Sequence, residues 1–100
     1  MVTKGKHVQP HILKISTLDS SRLNETFQLE GHLGGAWVEE LRRSCDRVLS
    51  EGRRLTLDLS GVSFVDRDGV GLLRTLKCAN VELRNCSPFI ALRLETNGSE

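Results

Sequence analysis

Two short segments near the start of the chain predict a β-hairpin. In 11–17, apolar residues lie among polar and β-branched neighbours, and in 26–31, Phe27 and Leu29 alternate strictly with polar residues. A period of two places such side chains on one face of a strand. The short polar residues 19–22 between the segments are typical of a turn. We therefore predict two antiparallel strands, the first of them at an edge of the sheet.

The segment 36–50 changes to a helical period. Its apolar residues recur at spacings of three and four, which places them on one face of a helix; they are Trp37 or Val38, Leu41, Cys45, Val48 and Leu49. Acidic residues in the first turns and Arg47 near the end suit the helix dipole. Gly52 is a suitable residue for the helix stop. The segment is therefore predicted to be an amphipathic helix.

The most regular alternation in the chain lies at 55–60, where three leucines face three polar residues, and it predicts a central strand. An acid- and glycine-rich turn, 66–69, follows it. Helical spacing then returns, for a second helix of only about two turns. A further short strand ends near Cys86. Ser87 and Pro88 open a final helix, with serine as the N-cap and proline in the first helical position.

This order of elements, β-β-α-β-α-β-α, predicts a small mixed α/β fold. Strands separated by single helices are expected to be parallel, with right-handed crossovers, and the first hairpin adds an antiparallel edge strand. One hundred residues suit one domain. We assign 11–96 to that domain, 1–10 to a flexible N-terminal arm and 97–100 to a tail.

Charge and hydropathy exclude several classes of function. The net charge is +1, with acids and bases interspersed, whereas nucleic-acid binders usually carry a basic stripe. No apolar run approaches the roughly 18 residues that cross a bilayer, and the first residues lack the apolar core of a signal peptide. We expect a cytoplasmic protein that binds neither nucleic acid nor membrane.

The three cysteines, Cys45, Cys78 and Cys86, show no paired spacing. They are expected to be reduced and to act as small hydrophobic residues. The histidines add no ligand spacing that is typical of a metal site. We therefore expect no metal and no cofactor.

The turn after the central strand carries the candidate chemistry. Functional groups in open α/β folds collect beyond the carboxyl ends of strands. Asp68 is expected to be the N-cap of the second helix, because aspartate is among the best capping residues. Gly69 and Gly71 weaken that helix by about 1 kcal/mol each relative to alanine, and they would let another protein approach closely. The alternative is that the turn only caps and packs the helix.

Segment 57–73 reads Leu-Asp-Leu-Ser-Gly-Val-Ser-Phe-Val-Asp-Arg-Asp-Gly-Val-Gly-Leu-Leu and resembles the signature segment of STAS domains. That signature has an apolar strand, then Asp-Ser-Ser-Gly or Asp-Ser-Thr-Gly, a hydrophobic residue and glycine. Two flanking segments, 29–34 and 85–90, are similar to the Gly-Glu-Leu-Asp turn and to the later Ser-Pro helix start of the family. The three motifs stand in the family's order and together cover roughly residues 11–95.

The resemblance implies a non-enzymatic protein-interaction module of the anti-sigma factor antagonist type. Its partner in the family is often an anti-sigma factor that is also a serine kinase of the GHKL ATPase type. The resemblance assigns partner binding to the turn and to the loop before the first helix; the residues are Asp66, Arg67, Asp68, Gly69, Val70 and Gly71, with His32 and Gly34.

The family's phosphoacceptor serine corresponds to Asp68, and the serine before it corresponds to Arg67. Aspartate cannot accept phosphate from such a kinase. Either Asp68 mimics phosphoserine, with about one negative charge against roughly 1.5–2 for a phosphate, or the module has diverged and works without this switch. We favour the second interpretation, because Arg67 offers a new contact group beside it.

Relatives in the family commonly continue into one more strand and a closing helix, so the resemblance implies a C-terminally shortened fold. A sheet edge without that strand invites pairing with another chain. The sequence therefore predicts a homodimer or docking on a larger partner.

Two other functions are compatible with parts of the sequence. Asp66 and Asp68 could bind Mg²⁺ in an enzyme, but a capping and anchoring role is favoured. The glycine-rich segment 31–35 precedes a helix and could hold a nucleotide or another anion, although it lacks both phosphate-loop fingerprints. Trp37, near that helix start, is either core packing or an aromatic anchor for a partner.

Overall fold

The computed structural model describes residues 12–98, with side chains described as far as residue 95. Its elements are β1 (Leu13–Ser20), β2 (Asn24–Leu33), α1 (Ala36–Ser50), β3 (Arg54–Val65), α2 (Arg67–Cys78), β4 (Glu82–Arg84) and α3 (Pro88–Gly98). The predicted order of elements is confirmed, and α1 has the predicted bounds. The arm 1–10 lies outside the described residues, and α3 continues to Gly98, within the segment assigned to the tail.

The four strands form one mixed sheet in the order β1-β2-β3-β4. β1 pairs with β2 antiparallel, and β2, β3 and β4 run parallel. The predicted small α/β fold with an antiparallel edge hairpin and parallel βαβ units is therefore confirmed. β1 is an edge strand and β3 is interior, both as predicted.

One face of the sheet carries the core. The alternating residues of β2 and β3 on this face pack with the apolar faces of all three helices; the most buried include Leu29, Leu33, Leu57 and Leu59 from the strands and Leu41, Cys45, Val70 and Leu73 from the helices. On the other face, polar residues such as Thr26, Gln28 and Thr56 are half-buried. The period-two pattern thus divides the sheet into a core face and a polar face.

Irregularities in β3 redirect the end of this strand. Opposite β2, Gly31 pairs with Val62 but His32 pairs with Phe64, so Ser63 is an extra residue. The Ser63 hydroxyl donates to the Gly31 carbonyl oxygen over 3.2 Å. Because a bulge re-aims the side chains beyond it, Phe64 is 40% exposed instead of joining the core.

The start of α2 differs from the prediction. Its N-cap is Asp66, not Asp68, because Asp66 is extended and its carboxylate accepts from the Gly69 backbone N–H. Asp68 lies in the first turn, where an acidic residue favours the helix dipole. The helix spans twelve residues, about three turns rather than two, since it includes the segment that the sequence assigned to a turn.

Candidate functional site

Two strands and two helices meet at the carboxyl edge of the sheet. The last residues of β2 and β3, Leu33 and Val65, are paired neighbours. α1 begins three residues after the end of β2, and α2 begins two residues after the end of β3. Both helix N-termini therefore lie side by side, at the edge where α/β folds commonly place their functional groups.

Asp66 connects these two helix starts. Its Oδ1 accepts from Gly69 N–H over 2.8 Å, and its Oδ2 accepts from Gly35 N–H over 3.0 Å. Its own N–H donates to the Leu33 carbonyl oxygen over 3.0 Å. One carboxylate thus caps α2 and also holds the loop before α1, which joins the two predicted parts of the site into one unit.

Two buried glycines allow this close approach. A Cβ at Gly34 would lie 2.8 Å from Asp66 Oδ2, and a Cβ at Gly69 would lie 2.7 Å from Val65 Cγ1 and 2.8 Å from the Leu33 carbonyl oxygen. Atoms in ordinary van der Waals contact are farther apart, about 3.5–4 Å. Gly34 and Gly69 therefore position the loops, and they have little surface to offer a partner.

The exposed residues of the turn are Arg67, Asp68 and Gly71. A Cβ at Gly71 would meet open space. Val70, by contrast, is fully buried in the core and fixes α2 on the sheet. Of the residues predicted to bind a partner on α2, the structure places these three where a partner can reach them.

Aromatic side chains line a shallow depression beside the turn. The rings of His32 and Phe64 have centroids 4.3 Å apart and are tilted by 35°. The depression has a volume of about 400 Å³ and is lined by His32, Gly34, Gly35, Ala36, Trp37, Phe64 and Asp66. Trp37 is half-buried, since it packs against the core and also lines this depression.

The sequence did not predict two residues at this site, Phe64 and Arg93. The irregular spacing of apolar residues after Gly61 is a signal that could have suggested a surface aromatic at this strand end. Arg93, from α3, donates through its guanidinium Nη1 to the Val65 carbonyl oxygen. No local pattern indicates this contact, because the two residues lie 28 positions apart.

The aspartate inside the family-like segment, Asp58, is a structural anchor. It is buried, and its Oδ1 accepts from Ser60 N–H over 2.9 Å and from Asn85 Nδ2 over 3.1 Å. The hydrogen bond from the Ser60 backbone N–H, together with the one from the Asn85 side-chain amide, lowers the pKa of Asp58. Asp58 thus stays ionised at neutral pH and ties β3 to the segment that leads into α3.

The cysteines differ in their burial: Cys45 is buried, Cys86 is half-buried and Cys78 is exposed. Burial, with a smaller contribution from Asp46, raises the pKa of Cys45 to about 12, and burial also raises the pKa of Cys86. Thiols with raised pKa values are poor nucleophiles at neutral pH. In residues 12–98, no three histidine, cysteine or acidic side chains are grouped to hold a metal ion. No helix in that range is long and apolar enough to cross a membrane.

Comparison with known proteins supports the resemblance found in the sequence. A family model described as "Mlab, STAS domain" matches residues 16–94. No curated protein matches the chain. The matched region spans β2 to α2 completely, including Asp66 and both helix starts. The chain therefore belongs to the STAS domain family.

Proposed function

We propose that this chain is a cytoplasmic, non-enzymatic protein-interaction module of the anti-sigma factor antagonist type. It binds a partner similar to an anti-sigma factor or serine kinase through the turn from Asp66 to Gly71 and the loop before α1. STAS domains are commonly modules of this kind. The balanced charge of +1 further supports a protein partner rather than a nucleic acid.

The observation that carries the proposal is the double hydrogen bonding of Asp66. It fixes the loop before α1 and the start of α2 together in the free chain. A surface that is already ordered loses less conformational entropy when a partner binds. The exposed residues Arg67, Asp68 and Gly71 lie on this supported turn. This combination suits recognition better than catalysis.

The proposed module works without the usual serine switch. Asp68 stands at the phosphoacceptor position and is exposed in the first turn of α2. A carboxylate there gives the surface a constant negative charge, whereas a serine would acquire roughly 1.5–2 negative charges only on phosphorylation. The alternative role of Asp68 as a phosphoserine mimic makes a different prediction for its replacement by serine.

Gly71 provides the test of the surface. Gly71→Gln adds a side chain into open space, so the fold is preserved while docking on the turn is blocked. Cys78→Gln is the matched control, because Cys78 is exposed at the opposite end of the same helix. Affinity capture from the native cytoplasm should recover a partner with wild type and Cys78→Gln but not with Gly71→Gln. Equal recovery with all three proteins would refute the proposed surface.

Asp68→Ser separates the two roles of Asp68. If the switch has been lost, the variant should bind the captured partner within about twofold of wild type and should take up no phosphate from it. Incubation of the variant with the captured partner and labelled ATP, followed by mass spectrometry of the 67–74 segment, measures phosphate transfer. Phosphate on Ser at position 68, together with tighter binding of the unphosphorylated variant, would establish the phosphoserine-mimic role instead.

Anion or nucleotide binding by a sensory STAS domain is the second candidate. It is favoured by the N-terminus of α1, because the N-cap residue Gly35 has no side chain to accept a hydrogen bond from the N–H groups of the first turn, and such groups can bind an anion. Against it, Asp66 already places a carboxylate there and takes the Gly35 N–H. Trp37 lines the depression beside Gly35 and Asp66 and is the single tryptophan of the chain, so its fluorescence reports on this site. Because the Asp66 carboxylate disfavours an anion there, the fluorescence should not respond to millimolar ATP or phosphate. A saturable change would favour this second function.

A further inference from the structure

The peptide unit between Val65 and Asp66 is held at both of its polar groups. Its N–H, which belongs to Asp66, donates to the Leu33 carbonyl oxygen of β2 over 3.0 Å. Its carbonyl oxygen, which belongs to Val65, accepts from the Arg93 guanidinium of α3. Because the N–H and the C=O of a planar trans peptide point in opposite directions, β2 and α3 hold this unit from opposite sides.

The Val65 carbonyl oxygen points to a side of β3 where no strand accompanies it. Within residues 12–98, β4 pairs only with 56–58 of β3. Asn85 then has a φ of 55°, in the left-handed region, and this conformation ends the extended strand. A carbonyl group beyond that point needs a donor from elsewhere. Arg93 supplies it from a helix 28 positions later in the chain.

The orientation of this peptide unit affects the centre of the candidate site. The Asp66 carboxylate accepts from Gly35 N–H and from Gly69 N–H. Asp66 reaches both groups from an extended backbone, with φ −85° and ψ −178°. A rotation of the peptide unit before Asp66 changes its φ, and this would turn the carboxylate away from the two N–H groups.

Arginine is well suited to hold a carbonyl group in this way. Its guanidinium is planar and stays charged, and a hydrogen bond from a charged donor is stronger than one between neutral groups. Arg93 is half-buried, and it forms no ion pair within residues 12–98. Its guanidinium is therefore directed to the backbone of β3 and not to a carboxylate in this part of the chain.

We infer that Arg93 is a positioning residue for the partner-binding surface. It acts through the Val65–Asp66 peptide unit, which directs the Asp66 carboxylate to Gly35 and Gly69. The inference rests on the proposed function, since it explains how the turn and the loop before α1 are kept in the arrangement that binds a partner. α3 is thus a third element that supports this surface.

Amide hydrogen exchange of the free chain, followed by NMR, tests this role. The reporters are the N–H groups of Gly35, Asp66 and Gly69. Arg93→Met keeps an unbranched stem but removes the donor, so it should speed exchange at the reporters about tenfold, as expected when a charged hydrogen bond is lost from a locally ordered segment. Arg93→Lys retains a charged donor and should keep their exchange within about threefold of wild type.

Exchange at Leu57 separates positioning from general stability. Leu57 is fully buried in β3 and should exchange only on global unfolding, whereas the reporters lie beside the two helix starts and should exchange by local opening. If Arg93 only stabilised the fold, Arg93→Met would speed exchange at Leu57 and leave the reporters unchanged. That result, or unchanged exchange at all of these groups, would overturn the inference.

Arg74→Met is the matched control. Arg74 is also a half-buried arginine, and it lies in the groove between α2 and α3 with Cys78 and Leu94. This control should leave the reporters within about twofold of wild type, and an effect as large as that of Arg93→Met would overturn the inference. If Arg93→Met does not fold, Arg93→Gln repeats the test, because its amide is too short to replace the guanidinium.

A double-mutant cycle with the captured partner tests whether Arg93 acts through Asp66. Arg93→Met should weaken partner binding about tenfold in the wild-type chain, but less than about twofold in an Asp66→Ala background. Additive losses would mean that Arg93 contacts the partner directly, and they would overturn the inference. Equal recovery of the partner by wild type and Gly71→Gln would reject the proposed surface, whereas the exchange rates of the free chain decide separately whether Arg93 positions Asp66.

Discussion

Gly69 and Gly71 occupy the same helix, yet their surroundings differ completely. At Gly69 a Cβ would meet Val65 and the Leu33 carbonyl, because α2 lies directly against the ends of two strands there. At Gly71 the same atom would meet nothing. The first glycine is required by packing. The second costs helix stability and is open to a role at the surface.

Alanine at these two positions should therefore have opposite effects. Gly69→Ala should lower the free energy of unfolding by about 1–3 kcal/mol, because the added methyl group overpacks the strand ends. Gly71→Ala should raise it by about 0.5–1 kcal/mol through helix propensity. Urea unfolding followed by circular dichroism measures both. A destabilised Gly71→Ala would show that this glycine is needed for the fold.

Asp66 should matter more than an ordinary helix cap. Ser87 caps α3 in the usual way, since its Oγ accepts from Ile90 N–H over 3.2 Å. Replacing a capping residue with alanine costs about 1 kcal/mol. Asp66→Ala also removes the hydrogen bond to Gly35, so it should cost about 2 kcal/mol, roughly twice the loss for Ser87→Ala. Equal losses in urea unfolding would mean that the Gly35 contact contributes no stability.

At the scale of elements, an ion pair between a buried glutamate and a partly buried arginine connects the hairpin to the rest of the sheet. Glu25, in β2, pairs with Arg53, which immediately precedes β3. Ser20 Oγ donates to Glu25 over 2.7 Å, and Arg53 donates to the Ser21 carbonyl oxygen over 3.1 Å and to Glu51 over 2.9 Å. The β1–β2 turn, the end of α1 and the start of β3 are thus joined at the amino edge of the sheet.

This ion pair predicts an acid dependence of stability. The hydrogen bond from Ser20 lowers the pKa of Glu25 from its ordinary value of 4.5; burial opposes this, and Arg53 adds to the lowering. A lowered folded-state pKa stabilises the protein above pH 4.5, and the contribution is lost as the pH falls through the folded pKa. Glu25→Gln should therefore be less stable than wild type at pH 7.

The difference between wild type and Glu25→Gln should shrink as the pH falls below 4.5. Comparison of the two proteins isolates Glu25 from Asp58, whose pKa is also lowered. Thermal unfolding at pH values from 3 to 7 measures the difference. A gap that stayed constant over this range would contradict a native-state role for the Glu25 carboxylate.

At the scale of the whole molecule, the sheet has two edge strands, β1 and β4, with no further strand beside either of them within residues 12–98. β1 offers eight residues with one irregularity between Thr17 and Asp19, and β4 offers three. Edges with free N–H and C=O groups favour pairing with another chain. We propose weak homodimerisation through an edge, more favourably through β1 because of its length. Sedimentation equilibrium at high micromolar concentration should detect it, and a clean monomer would contradict it.

Much of the fold was predictable from local patterns. Three elements were identified in this way: β3 by its alternating leucines, α1 by its helical spacing of apolar residues and α3 by its Ser-Pro start. A strand or helix that is buried on one face repeats its apolar residues with its own structural period, and this repeat is visible in the sequence. The start of α2 was predicted two residues late. Asp66 and Asp68 are both good N-caps by composition, and the structure selects the first, because Asp66 is extended and its carboxylate accepts from both Gly69 N–H and Gly35 N–H.

The candidate site could be predicted only in part. The family-like segment located the turn, but the resemblance assigned partner binding to Val70 as well as to Arg67 and Asp68, although Val70 is fully buried. Phe64 was missed because its exposure depends on the extra residue Ser63, a matter of pairing between strands. Arg93 was missed because it reaches β3 from a helix 28 residues later.

The sequence by itself determined the order of the elements, the mixed sheet and the family, because these depend on periodicity, on turn chemistry and on a contiguous motif. Only the tertiary structure decided which residues of the turn face a partner and that the two loops form one surface. Those properties depend on distances between residues far apart in the chain, above all on the two hydrogen bonds of Asp66, and no local pattern encodes them.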